Sequence, residues 1–107
     1  MVTRLSSETI NNQLQEAQLP VLLACLQQDF DYKEQMDILE NVSEVFTGKV
    51  NVCLVELGDV SAAISAYKIE GTPTFVMFDH GRERDRLLGK ADSLRLTTFV
   101  TMTLEMV

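Results

Sequence analysis

Apolar and polar positions change period several times along this chain, and each change marks a predicted element. Val2 to Leu5 reads as a short opening strand, and Ser6 as the N-cap of a helix from about Ser7 to about Ala17, in which Ile10, Leu14 and Ala17 recur at helical spacing. After Pro20, Val21 to Leu26 is apolar without a break. A strand with one wet face alternates, so an unbroken run predicts a strand covered on both faces, as in a parallel sheet. From Asp31 the helical period returns, with Met36, Leu39, Val42, Val45 and Phe46 as the stripe and Gly48 as its stop. Asp31 and Glu34 have the spacing of a capping box.

Val50 to Leu57 is a second buried strand, and Val60 to Tyr67 a short helix that ends ahead of Gly71-Thr72-Pro73. Phe75 to Phe78 form a third central strand. Asp79-His80-Gly81 is a turn, Arg82 to Leu88 alternates charge as an exposed strand does, and Leu94, Leu96, Phe99 and Val100 open a closing helix. The order β-α-β-α-β-α-β-β-α predicts one α/β domain over residues 1–107, a central mixed β-sheet with helices on both faces. No repeat or Pro/Gly/Ser linker divides it.

Composition narrows the function classes. With 46% hydrophobic and 23% charged residues, two prolines and five glycines, the chain is that of a globular domain. Its net charge of -7 argues against a nucleic-acid or anionic-membrane surface, and no apolar run approaches the roughly 20 residues that span a bilayer. Residues 1 to 20 include Arg4, Glu8 and Glu16 and no apolar leader, so a cytoplasmic location is expected. Cys25 and Cys53 each lie inside an apolar run, the placement of buried, reduced thiols.

His80 is the sole histidine and has no ligand partner in sequence, and Asp29 and Asp31 read as helix-capping residues rather than cation ligands, so no metal and no cofactor are expected. Glycine-rich phosphate loops are absent. The charge is uneven: Asp29, Asp31, Glu34, Asp37, Glu40 and Glu44 face only Lys33 in one segment, while Arg82, Arg84, Arg86 and Lys90 cluster later. A solvated helix face and a charged edge strand account for both.

Together these elements and several residues resemble the thioredoxin family. Leu19-Pro20-Val21-Leu22-Leu23 is similar to that family's first central strand, Gly48-Lys49-Val50 to the entry of the next, and Tyr67-Lys68-Ile69-Glu70-Gly71-Thr72-Pro73-Thr74 to its tyrosine-to-cis-proline segment. Phe78, Gly81, Gly89, Leu96 and Phe99 match its end, with one residue missing just before the second helix. The resemblance implies a thioredoxin fold with a cis Thr72-Pro73 bond. It also shows what is absent. The family's two cysteines correspond to Asp29-Phe30-Asp31-Tyr32, the tryptophan before them has no counterpart, and the buried acid and lysine that serve the thiols correspond to Ala24 and Leu54. The proline that often kinks the second helix corresponds to Asp37.

A carboxylate and a phenol exchange no disulfide, so the resemblance implies a redox-inactive protein, not an enzyme. The family's groove binds extended peptide through main-chain hydrogen bonds and needs no thiol for it. Here that surface corresponds to Phe30, Tyr32, Thr72, Pro73, Leu88, Gly89 and Lys90, which implies a protein- or peptide-binding adaptor or chaperone-like module. Two alternatives stand beside it: a thiol-disulfide oxidoreductase using Cys25, Cys53 or a partner's thiols, and a structural subunit that self-associates, for instance as a homodimer.

Overall fold

The runs that read as apolar throughout are the middle strands of a five-stranded sheet. A computed structural model describes residues 1–106. In chain order they form β1 (Thr3–Leu5), α1 (Ile10–Glu16), β2 (Val21–Cys25), α2 (Tyr32–Val45), β3 (Asn51–Val55), α3 (Val60–Ala66), β4 (Thr74–Asp79), β5 (Arg82–Leu88) and α4 (Ser93–Leu104). The sheet order is β1-β3-β2-β4-β5. β1 and β2 run parallel to β3, β4 runs antiparallel to β2, and β5 antiparallel to β4. This mixed sheet with its four helices is a thioredoxin-like fold.

Alternate strand residues serve two separate cores. Leu22, Ala24, Leu54 and Phe75 face α2 and α4, where Leu39, Val42, Leu96 and Val100 cover them. Leu23, Cys25, Cys53 and Val76 face α1 and α3, covered by Ile10, Leu14, Val60 and Ala63. Every residue of β2 is buried as a result. Each buried leucine here contributes about 1.5–3 kcal/mol relative to an exposed one, which is why the central strands are so nearly free of polar residues.

Several boundaries differ from the sequence expectation, each for a local reason. α1 starts at Ile10, not Ser7: the Ser6 carbonyl accepts from the N–H groups of Thr9 and Ile10 in a preceding turn. The Ser6 hydroxyl meets that of Thr9 instead of capping the helix. β3 ends at Val55, because a 3-10 turn at Leu57–Asp59 swings the chain into α3. α2 does start after Asp31 but without the capping box. Asp31 sits in the helical region of backbone space (φ -96, ψ 0) and makes no side-chain cap, whereas a cap residue is normally extended. α2 runs unbroken through Asp37, whose carboxylate takes Lys33 Nζ at 3.1 Å.

The β4–β5 hairpin turns on His80 and Gly81, with φ of 51 and 82, the two positive values of a tight two-residue turn. Further along, Met77 pairs with Asp85 but Phe78 with Glu83. Arg84 is therefore the extra residue of a bulge. It places Glu83 and Arg86 on one face although they are three apart, and their side chains join through two 2.7 Å hydrogen bonds.

Candidate functional site

Three chain segments meet at one end of the sheet. The first is the loop from β2 into α2. Asp29 Oδ1 accepts the Asp31 N–H at 3.0 Å, a short Asx-type turn that carries Phe30 outward, and the Phe30 ring is fully exposed. An aromatic side chain covered by nothing is the largest apolar group the surface offers to a partner.

The second segment links α3 to β4. Lys68, at φ 54, closes α3 in the left-handed conformation, and Arg86 from β5 donates to the Tyr67 and Lys68 carbonyls at 3.0 and 3.1 Å. The same guanidinium holds the Glu83 carboxyl below its ordinary range through their hydrogen bonds. From this anchored point the chain runs to Thr72–Pro73, whose peptide bond is cis. Thr74 Oγ1 donates back to the Gly71 carbonyl, and the Pro73 carbonyl accepts from the Gly89 N–H at 2.8 Å. Thr72 lies between these ties, half-buried, and among the described residues its own N–H and C=O take no partner.

The third segment, Gly89 to Asp92, joins β5 to α4. Gly89, at φ 101, turns the chain at the end of β5. Leu88, half exposed, reaches over Gly71. Ala91 is buried and bound through both backbone groups by Gln35 of α2: Nε2 donates to the Ala91 carbonyl at 3.0 Å, and Oε1 accepts the Ala91 N–H at 3.3 Å. Asp92 then caps α4 by accepting from the Arg95 N–H at 2.7 Å. With Ala91 fixed, Lys90 projects across to α2, where its Nζ lies 2.9 Å from Asp31 Oδ1. That hydrogen bond, with the charges of Asp31, Glu34 and Asp29, raises the Lys90 pKa.

Of the residues expected at this surface, Phe30, Thr72, Pro73, Leu88, Gly89 and Lys90 gather on these three segments. Tyr32 is divided between this surface and β1. Its ring is packed against the core beneath α2, and its hydroxyl accepts from Arg4 Nη1 of β1 at 3.2 Å. Its flank still closes a cleft with Pro73, Gln35 and Leu26 that is too narrow for water. Gln35 and Glu70 join the site without having been singled out in the sequence, and Arg86, read there as part of a charged edge strand, joins it as an anchor. Gln35 left one trace there, a polar residue on the apolar stripe of α2.

The strand positions beneath the α2 N-terminus that correspond to the family's buried acid and lysine are apolar here. Ala24 and Leu54 pair directly in register and are fully buried. Cys25 and Cys53 lie on the opposite face of the sheet, both buried, and burial pushes each thiol up to about 11. At neutral pH such thiols stay protonated and are poor nucleophiles. Among the described residues no group of three His, Cys, Asp or Glu side chains converges as metal ligands would. A separate open groove of about 370 Å³ between α1 and α3 is lined mainly by Ile10, alanines and Tyr67 and brings no reactive groups together.

No protein-family model matches the chain. Over 63 residues, 59% of its length, it is 25% identical to the chloroplastic M-type thioredoxin of Zea mays, and equally so to that of Triticum aestivum. Those stretches are 38% and 36% of the two relatives, so the chain spans well under half the length of the curated relatives it matches. The identities support a distant thioredoxin-like relationship.

Proposed function

We propose that this protein binds an extended segment of another protein at the Phe30–Thr72–Leu88 surface, as a redox-silent adaptor or chaperone-like module. The observation that carries the reading is the unpaired backbone of Thr72, held in place by ties on either side, with the exposed Phe30 and Leu88 on the two adjoining segments. A free donor and acceptor on one residue suit the main-chain pairing of an added strand, and apolar neighbours supply pockets for its side chains. The oxidoreductase alternative finds less support, since the two thiols are buried and high in pKa.

The test is selection of extended peptides from a displayed random library, followed by amide chemical-shift mapping on the intact protein. Shifts should concentrate at Phe30, Thr72 and Leu88–Lys90. Phe30→Ala should weaken binding by about tenfold or more, the usual effect of truncating an aromatic anchor. Shifts clustered elsewhere, with affinity indifferent to Phe30→Ala, would remove the site from consideration. A disulfide-reduction assay on insulin, positive in the parent and lost in Cys25→Ser or Cys53→Ser, would instead establish the thiol chemistry.

A further inference from the structure

Resting on the groove reading above, we infer that the segment it accepts is cationic, with Lys or Arg on both sides of an apolar residue. The rim of the surface is one-sided in charge. On the α2 side, Asp29, Asp31 and Glu34 surround the single ammonium of Lys90, and Asp31 alone is paired with it. On the β5 side, Glu70, Thr74, Arg86 and Leu88 line a notch of about 110 Å³. Arg86 there is already neutralised by Glu83, with two hydrogen bonds of 2.7 Å. Glu70 acts on the same guanidinium only through its field, so Glu83, Arg86 and Glu70 together leave one negative charge in excess.

Across the three segments, Asp29, Asp31, Glu34, Glu70 and Asp92 stand against Lys68, Lys90 and Arg95, whose guanidinium donates to the Lys90 carbonyl at 3.0 Å, which leaves the rim a net excess of two negative charges in a chain whose total is -7. Such a field draws cations to the groove and opposes an acidic segment. The apolar parts of the surface fit between the charges. Leu88 forms one wall of the notch that Glu70 closes, so the stem of an Arg or Lys can lie on Leu88 while its head meets Glu70. Phe30 stands in sequence between Asp29 and Asp31, so the loop that carries its ring also carries two carboxylates. A cation arriving at that end competes with Lys90 for Asp31.

The experiment uses fluorescence anisotropy with three labelled extended peptides that share one leucine centre and differ in their flanks: Arg, Ser or Glu. The expected order of affinity is Arg, Ser, Glu, with the Arg peptide about tenfold tighter than the Ser peptide at low salt and the gap closing at high salt. The double variant Glu34→Gln/Glu70→Gln, altered only at exposed positions, should cost the Arg peptide about fivefold and leave the Ser peptide unchanged. Lys90→Ala should tighten the Arg peptide. Phe30→Ala should weaken all three. Equal binding of the three peptides with the Phe30 dependence intact would overturn the cationic preference and leave the groove standing. Absence of binding, or binding indifferent to Phe30→Ala, would overturn the groove reading and this inference together.

Discussion

Replacing Gln35 by methionine keeps the volume of a side chain that is almost wholly buried while deleting both of its bonds to Ala91. The Ala91 N–H and C=O are then left dry and unpartnered at a buried residue, at about 1–3 kcal/mol each, for a total of about 2–6 kcal/mol. Against the roughly 5–15 kcal/mol stability of an ordinary domain this is a large fraction. For a domain of this size it should lower Tm by about 8–24 °C. Thermal and urea unfolding of Gln35→Met measure it.

Gln35→Glu gives the complementary test. Protonated, the introduced side chain still donates to the Ala91 carbonyl and accepts its N–H, whereas the ionised form cannot donate and places a charge in a dry site. Burial would hold that carboxyl's pKa above its ordinary value of about 4.3, so above that pH the folded state binds more protons than the unfolded one. Stability must then fall as pH rises toward neutrality. The variant should approach the parent near about pH 4 and fall away from it near about pH 7. A methionine variant within about 1 kcal/mol of the parent, or a glutamate variant whose pH profile parallels it, would refute the role given to this contact.

Two further outcomes follow from the same geometry. Burial holds both thiols near 11 against an ordinary 9.0, so the unfolded chain loses these protons first. The stability they lend is complete below about pH 9 and falls as pH climbs to about 11. Denaturant midpoints at about pH 8 and pH 10.5 should therefore diverge more in the parent than in Cys25→Ala/Cys53→Ala, and equal divergence would contradict it. Gly81→Ala should cost about 1–2 kcal/mol for its φ alone, and more because its Cβ would lie 2.9 Å from Gln15 Cγ. Gly48→Ala, at nearly the same φ but with open space around it, should be milder, and the reverse ranking of unfolding midpoints would count against the packing argument.

Legible in the sequence is whatever a short stretch determines by itself. Val21 to Leu26 is apolar because two layers cover it, and His80-Gly81 turns because both residues adopt positive φ. Competition across the chain is not legible there. Asp31 and Glu34 carry the spacing of a capping box, but the Asp31 carboxylate is taken by Lys90, far away in sequence. The neighbours of Tyr32 in sequence point it to the binding surface, while its hydroxyl is drawn to Arg4 on β1. The bulge hides the role of Arg86, since strict alternation puts Glu83 and Arg86 on opposite faces. The groove's backbone is supported by Gln35 and Arg86, residues whose partners are carbonyls and amides that leave no mark in a sequence.

The bulge at Arg84 also shapes how these molecules meet one another. β5 is an outer strand, and a smooth outer strand is a template on which a neighbouring chain can extend the sheet. Here the ladder slips by one residue midway, and charged side chains crowd both sides of the slip. The opposite border, β1, is three residues long. A crowded solution of this protein therefore meets two sheet margins that are poor seeds for ribbon-like growth, which leaves concentrated samples less prone to fibrous aggregation than a flat five-stranded sheet would be.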